Sequence, residues 1–270
     1  MAAVFELENV GFDYDGIPAI RNLSLRVEAG ERIVLLGANG SGKSTLLRIL
    51  DGLYFPTAGS VVFQGDALNQ ERLQRDDFAL GFRRKVGLVF QNPDVQLFNP
   101  TVLDEVAYGP LQMRWTKEEV VRRVEETLEF MRISHLKARP PYRLSGGEKK
   151  RVALASVLVL NPEVLLLDEP TATLDPRAQS QVVDLIQQWK GTAKTIITAT
   201  HQLEIVEDIA DRIFVLETGS VIAAGTPKEI LENGSLLERA NLIHAHRHSH
   251  GGITHSHPHV HGHSHHEHEH

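Results

Sequence analysis

The run Arg32-Ile-Val-Leu-Leu36, followed directly by Gly37-Ala-Asn-Gly-Ser-Gly-Lys-Ser44, constrains this chain more than any other segment. A short apolar run without alternation fits a strand buried on both faces, as in a parallel sheet covered on both sides. The loop after it matches G-x-x-x-x-G-K-[ST], and Ser44 to Leu50 reads as a short helix that Gly52 stops. Strand, glycine loop and helix together make an anion trap. Glycines let the backbone curl until successive N–H groups face one point, where the helix dipole adds partial positive charge. Gly37, Ala38, Asn39, Gly40, Ser41, Gly42, Lys43, Ser44 and Thr45 are therefore candidate phosphate-binding residues. The Lys43 ammonium suits the β- and γ-phosphates and the Ser44 hydroxyl suits Mg²⁺. A plain glycine-rich turn is the competing explanation, and the flanking strand and helix argue against it.

The rest of the chain alternates strand and helix patterns. Leu23, Leu25 and Val27 alternate with polar residues, and Val61–Phe63, Lys85–Phe90, Val164–Leu167 and Thr195–Thr200 read as further strands. Ile213–Leu216 and Val221–Ala224 flank Glu-Thr-Gly-Ser and predict a hairpin. Between them, Thr101 and Thr116 each stand three residues before an acid, and Val120, Val121, Val124, Leu128 and Met131 recur at helical spacing. Ser145-Gly-Gly-Glu148 is a third capping box, opening a helix toward Leu160. The expected class is α/β: a mostly parallel sheet core, an antiparallel β subdomain and an inserted helical subdomain at about residues 95–160. The expected domain is 1–243, and 244–270 forms a disordered tail.

Composition excludes several functions. The chain has 28 Lys+Arg against 35 Asp+Glu, so it has no basic excess for a nucleic-acid partner. The absence of cysteine removes disulfides, thiolate zinc sites and iron–sulfur clusters. No apolar run approaches the roughly 20 residues of a bilayer span, and the N-terminal segment has no signal-peptide core. A soluble, cytosolic chain is expected, with any membrane role supplied by a partner.

Val164-Leu-Leu-Leu-Asp168-Glu169 ends a buried strand on two adjacent carboxylates. The first suits Mg²⁺ and the second suits positioning or deprotonating an attacking water, which fits a hydrolase better than a kinase. Exposed strand-end acids are the bland alternative. Leu144-Ser145-Gly146-Gly147-Glu148 sets a helix N-terminus, a second anion site, about 20 residues before that pair.

With these pieces in order, residues 3 to 240 resemble the ATP-binding cassette (ABC) ATPases, a phosphate-loop NTPase fold. The resemblance implies the following roles. Gln91 contacts Mg²⁺ and the attacking water, Glu169 is the base, and His201 contacts the γ-phosphate. Asp168 holds Mg²⁺ with Ser44 and Gln91. Tyr14 stacks on adenine, with Phe12 competing for that place. Leu174-Asp175 is the D-loop, and Ser145, Gly146 and Gly147 complete the ATP site of a second copy. Thr173 departs from the family's usual glycine. The implied cofactors are ATP and Mg²⁺, and the implied partner is a second ATPase subunit.

Gln91-Asn-Pro-Asp with Gln96-Leu-Phe98, and Pro100 to Pro110 after it, further resemble the ATPases of energy-coupling-factor importers. That implies integral membrane transporter subunits as partners, contacted at the cytoplasmic face through exposed apolar residues here. Of 15 histidines, 13 lie in His244–His270, interleaved with Ser, Gly and Glu. Tail imidazoles, among them His255, His257, His259, His261, His263 and His265, are candidate ligands for Ni²⁺, Co²⁺ or Zn²⁺. The tail makes nickel or cobalt the expected cargo. The rivals are a vitamin importer and a soluble cassette with no membrane partner.

Overall fold

The computed structural model describes residues 3–172, 174–250 and 253–259, with 244–250 and 253–259 described through their backbone alone. Strands β1 (Ala3–Tyr14) and β2 (Ile17–Glu28) pair antiparallel at the start. Then come β3 (Arg32–Leu36), α1 (Lys43–Leu50), β4 (Ala58–Phe63) and the short β5 (Asp66–Ala67). The four antiparallel strands make one sheet, ordered β2-β1-β4-β5. On β2 the predicted alternation holds: Leu23, Leu25 and Val27 are buried and their neighbours are not.

Helices α2 (Gln70–Leu73) and α3 (Asp76–Lys85) lead into β6 (Val86–Val89). The helical insert follows as α4 (Val102–Gln112), α5 (Lys117–Phe130) and α6 (Gly146–Leu158). Thr101 caps α4 by accepting from the Asp104 N–H at 3.1 Å, and Thr116 caps α5 by accepting from the Glu119 N–H at 3.2 Å. Val120, Val124 and Leu128 are the buried stripe of α5.

The chain re-enters the core with β7 (Val164–Asp168), α7 (Pro176–Gln187), β8 (Thr195–Thr200), α8 (Val206–Ile209), β9 (Arg212–Glu217) and β10 (Ser220–Gly225). These strands with β3 and β6 form a six-stranded sheet ordered β10-β9-β3-β8-β7-β6. Every pairing in it is parallel except the β9–β10 hairpin. Helices α9 (Pro227–Leu231) and α10 (Gly234–Arg239) follow.

Both faces of this sheet are covered, which is why its strands read as unbroken apolar runs. On β3, Val34 and Leu36 pack among the helices, while Ile33 and Leu35 face α1 and the antiparallel sheet. On β7, Leu165 and Leu167 face the helices and Val164 and Leu166 the other side. Among the described residues no helix is long and apolar enough to cross a membrane.

In the tail, β11 (His244–His250) and β12 (Ile253–His259) pair antiparallel with each other and with no other strand described. A lone two-stranded ladder is marginal in water. His261, His263 and His265 lie outside the described residues, as does Thr173.

The β9–β10 turn is made by Thr218 (φ 45°) and Gly219 (φ 83°), the left-handed pair that a two-residue hairpin favours. Gly219 has no alternative, because a Cβ there would meet the Ala19 carbonyl oxygen at 2.5 Å. Thr218 is an exposed, β-branched residue in a conformation that suits Asn. Thr218→Asn is expected to stabilise the fold by about 1 kcal/mol. The thermal midpoint checks this, and an unchanged or lower midpoint contradicts it.

Candidate active site

Register places the site. Leu36 of β3 pairs with Thr200 of β8, Ala199 with Asp168 of β7, and Leu167 with Val89 of β6. Four adjacent parallel strands therefore end level with one another. Gly37, His201 and Glu169, each directly after its strand, and Gln91, two residues past β6, lie along one rim at the carboxyl ends, where open α/β sheets bind ligands.

The phosphate loop crosses this rim into α1. Gly42 is the helix N-cap at φ 103° and supplies no side chain to it. The first N–H groups of a helix have no intrahelical partner, so the end of α1 is left open to an anion. Lys43 is buried, and its Nζ donates to the Gly37 carbonyl at 2.7 Å and the Ala38 carbonyl at 3.0 Å. Burial pushes the Lys43 ammonium below its ordinary pKa, while Glu169 and Asp168 pull it back. Ser41 is also buried, and its Oγ has no hydrogen-bond partner.

Asp168 accepts from Ser44 Oγ at 2.9 Å, so the two hard oxygens assigned to Mg²⁺ do meet. Burial raises the Asp168 carboxyl above its usual range, Ser44 opposes this, and Glu169 adds to it. Glu169 follows with φ 43°, rare for a residue with a side chain, and its N–H is fixed on the Ala199 carbonyl at 2.9 Å. Its buried carboxylate accepts from Thr200 Oγ1 at 3.1 Å and lies 2.8 Å from His201 Nδ1 and 3.9 Å from Lys43 Nζ. A carboxylate held this way at a rim can receive a proton from a water in front of it.

Tyr14, Ala19, Asn39, Gly40, Gly42, Lys43, Ser44, Thr45, Gln91 and Glu169 line a cleft of about 420 Å³. Tyr14 and Phe12 pack edge to face, 5.0 Å between ring centroids, but only Tyr14 lines the cleft. Tyr14 lines the cleft with its hydroxyl 3.1 Å from Thr45 Oγ1, whereas Phe12 stacks on Tyr54 at 5.1 Å between ring centroids. His201 reaches the site through Glu169 and does not line the cleft.

Ser145, Gly146 and Gly147 are not part of the cleft. Ser145 caps α6 instead, in the predicted box: its N–H donates to Glu148 Oε2 at 2.8 Å and its Oγ accepts from the Glu148 N–H at 3.4 Å. That backbone bond holds the Glu148 carboxyl below its usual pKa. Asp175 caps α7, accepting from the Ala178 N–H at 2.8 Å. The described residues contain no cluster of three or more metal-ligating groups, and the side chains of His255, His257 and His259 are outside the description.

Sequence reasoning missed Thr200 and Lys150. Lys150 is buried on α6 and donates to the Phe90 carbonyl at 3.0 Å and the Gln91 carbonyl at 3.3 Å. Helical phase was the available signal, since Lys150 stands three and four residues before the buried Ala153 and Leu154.

The donor set fits a nucleotide with its metal: an uncapped helix end, a buried ammonium hydrogen-bonded to loop carbonyls, and a hydroxyl–carboxylate pair of oxygen ligands. A family model described as ABC transporter matches residues 20–172. The chain belongs to the ABC transporter family. It is 52% identical over 246 residues to the nickel import ATP-binding protein NikO of Rhodobacter capsulatus, covering 90% of this chain and 97% of that one. It is 42% identical to the energy-coupling factor transporter ATP-binding protein EcfA of Methanothermobacter thermautotrophicus, over 88% of this chain and 76% of that one. Among solved structures, cbiO1 from Clostridium perfringens, part of the ABC transporter complex cbiONQ, superposes with a TM-score of 0.75 at 37% identity. That match covers 90% of this chain and 96% of the other. The ATP-binding cassette MJ0796, a dimer bound to ADP and Pi, matches with a TM-score of 0.74 at 29% identity, over 83% and 98%. This cassette is an ATPase of a transport system.

Aromatic stacking on a base contributes about 1–3 kcal/mol. Tyr14→Ala is expected to weaken ATP binding about tenfold, with Tyr14→Phe close to the parent. Phe12→Ala is expected instead to lower the thermal midpoint and leave affinity nearly intact. Nucleotide titration of the three variants checks this, and equal losses for Tyr14→Ala and Phe12→Ala contradict it.

Proposed function

We propose that this chain is the energy-coupling ATPase subunit of an importer of the energy-coupling-factor type, with nickel or cobalt ions as cargo. The observation that carries the reading is the single rim on which Lys43, Ser44, Asp168, Glu169 and His201 converge. Lys43 and the amides at the start of α1 bind the phosphates, and Tyr14 flanks the base. Ser44 and Asp168, with Gln91, hold Mg²⁺, which when bound neutralises phosphate charge. Glu169 takes a proton from the attacking water. His201, bonded to Glu169 through Nδ1, orients that carboxylate and would meet the γ-phosphate from the far side of Glu169. Rate acceleration then comes mainly from positioning and fixed charge.

The exposed N-terminus of α6 supports a dimer. Ser145, Gly146 and Gly147 present a helix end that the chain's own cleft does not use, so a second ATPase subunit supplies the nucleotide for it. ATP held between two copies favours the closed pair, and hydrolysis releases it.

A surface patch supports docking on integral membrane subunits at the cytoplasmic face. Val95, Phe98, Tyr108 and Leu111 are exposed, and Phe98 packs edge-on to Tyr108 at 5.0 Å. Buried Glu105 holds the loop in place by accepting from the N–H groups of Phe98 at 2.9 Å and Asn99 at 2.8 Å. The cargo assignment is supported by the likeness to NikO over nearly its whole length and by the histidine-rich tail, which suits buffering of an arriving divalent ion.

Two measurements test this reading. Glu169→Gln is expected to keep ATP affinity within about threefold, cut turnover at least about a hundredfold, and accumulate as an ATP-bound dimer. Near-normal turnover in that variant removes Glu169 as the base. Deleting 244–270 is expected to reduce nickel or cobalt uptake at limiting metal while leaving ATPase activity intact. Unchanged uptake rejects the tail's role, and failure to co-purify with any membrane subunit rejects the transport complex.

A further inference from the structure

Lys150 stands at the junction of two parts of the site that are far apart in sequence. It belongs to α6, the helix whose N-terminus carries Ser145 and Gly146, yet its ammonium lies under the loop that presents Gln91 to the cleft. It is 2% exposed, so the ammonium is withdrawn from water, and its acceptors at 3.0 and 3.3 Å are the main-chain carbonyls of Phe90 and Gln91. Removing a cation from water is costly unless acceptors replace its hydration, and here backbone oxygens do so. Burial pushes the Lys150 ammonium down to about 8, and Asp168 and Glu169 pull it upward, so it lies within the field of both carboxylates.

The loop is fastened to α6 at further points. Gln96 accepts from the Phe90 N–H at 3.2 Å and donates to the Ala153 carbonyl at 2.8 Å and to Ser156 Oγ at 3.1 Å. Lys149 Nζ meets Asp94 Oδ1 at 2.7 Å. Residues 150, 153 and 156 recur at helical spacing, so one stripe of α6 grips the segment from Phe90 to Gln96. Of these contacts only that of Lys150 falls on Gln91 itself. The Gln91 side chain is left free to line the cleft beside Lys43, Ser44 and Glu169.

We propose that Lys150 is a positioning residue for hydrolysis: its ammonium clamps the Phe90 and Gln91 carbonyls and thereby sets where the Gln91 side chain stands in the nucleotide cleft. This rests on the assignment of Gln91 to the reacting site made above. Lys150 does not line the cleft, and it acts through Gln91. Its loss therefore lowers turnover and leaves nucleotide affinity almost unchanged. A misplacement of about 1 Å at a reacting group costs as much as a hundredfold in rate.

The test is a double-mutant cycle on the full-length chain with Lys150→Met, Gln91→Ala and the double variant, scored by kcat, KM for ATP and equilibrium affinity for a fluorescent ATP analogue. Lys150→Met is expected to lower kcat about tenfold or more with KM within about threefold. In the Gln91→Ala background it is expected to change kcat less than about twofold, because the group it positions is gone. Equal losses of kcat in both backgrounds overturn the proposal, as does an unaltered kcat in Lys150→Met alone. If Lys150→Met fails to bind the analogue, Lys150→Gln, which keeps a donor for the carbonyls, is read by the same criteria. Loss of binding in both variants makes Lys150 a packing residue and also overturns the proposal. Should Gln91→Ala itself leave kcat intact, the assignment of Gln91 fails and the inference falls with it. If Gln91→Ala lowers kcat and Lys150→Met does not, only the inference fails.

Discussion

The level ends of four parallel strands are the constraint on which the rest of this molecule depends. Glycine loop, histidine, paired carboxylates and glutamine come from segments with no sequence proximity, and each is placed simply by where its strand stops. The pairs Leu36 with Thr200 and Asp168 with Ala199 fix those stops relative to one another. Because β3 and β7 bury both faces, a one-residue slip would exchange Val34 and Leu36 with Ile33 and Leu35 between two differently shaped cores. Packing on the two sides thus enforces the register, and the register aligns the chemistry.

That alignment concentrates charge where water is scarce. Lys43, Lys150, Asp168 and Glu169 are all buried near the same strand ends. Burial drives the two lysines down and Asp168 up; the carboxylates work against it at the lysines, and Ser44, Arg48 and Lys43 work against it at Asp168, where Glu169 adds to the rise. Two amines and two carboxyl groups of opposite charge type thus share one desolvated place. Such groups are preorganised for a charged ligand and need little rearrangement when it arrives. Lys43 is the clearest case: the loop carbonyls that hold it are modest acceptors, which phosphate oxygens can replace with stronger charge-assisted bonds.

The parts that were legible in the sequence are those encoded over a few residues. The glycine loop, the apolar strand ending in Asp168-Glu169, the capping residues Thr101, Thr116 and Ser145, and the turn at Thr218-Gly219 each depend on local backbone chemistry. What escaped is encoded across the fold. Lys150 meets Phe90 across 60 residues, and the Ser44–Asp168 pair, 124 residues apart, is reachable only through the family resemblance. No local pattern announces either meeting, because both follow from strand order and from the docking of α6. Spacing cannot rank Phe12 against Tyr14, because the three rings of Phe12, Tyr14 and Tyr54 pack as one cluster and only the folded cleft shows that Tyr14 is the one lining it. Helix α7 had a usable start signal in Asp175-Pro176, an N-cap followed by proline at the first turn.

The two anion-seeking helix ends differ in a way that bears on how the machine is built. Helix α1 begins at Gly42 with no side-chain cap, whereas α6 begins at Ser145 with a complete capping box. An uncapped end buried at a rim keeps its amides free for a ligand, and that is the end carrying Lys43. A capped end has already satisfied part of its need through Ser145 and Glu148, so it folds as an exposed terminus without help. The residual positive field of α6, at Gly146 and Gly147, suits a secondary contact with a nucleotide held principally by another α1. In the dimer proposed above, the primary site inside each chain would be completed by the auxiliary end on its partner, and two facing copies would complete it twice.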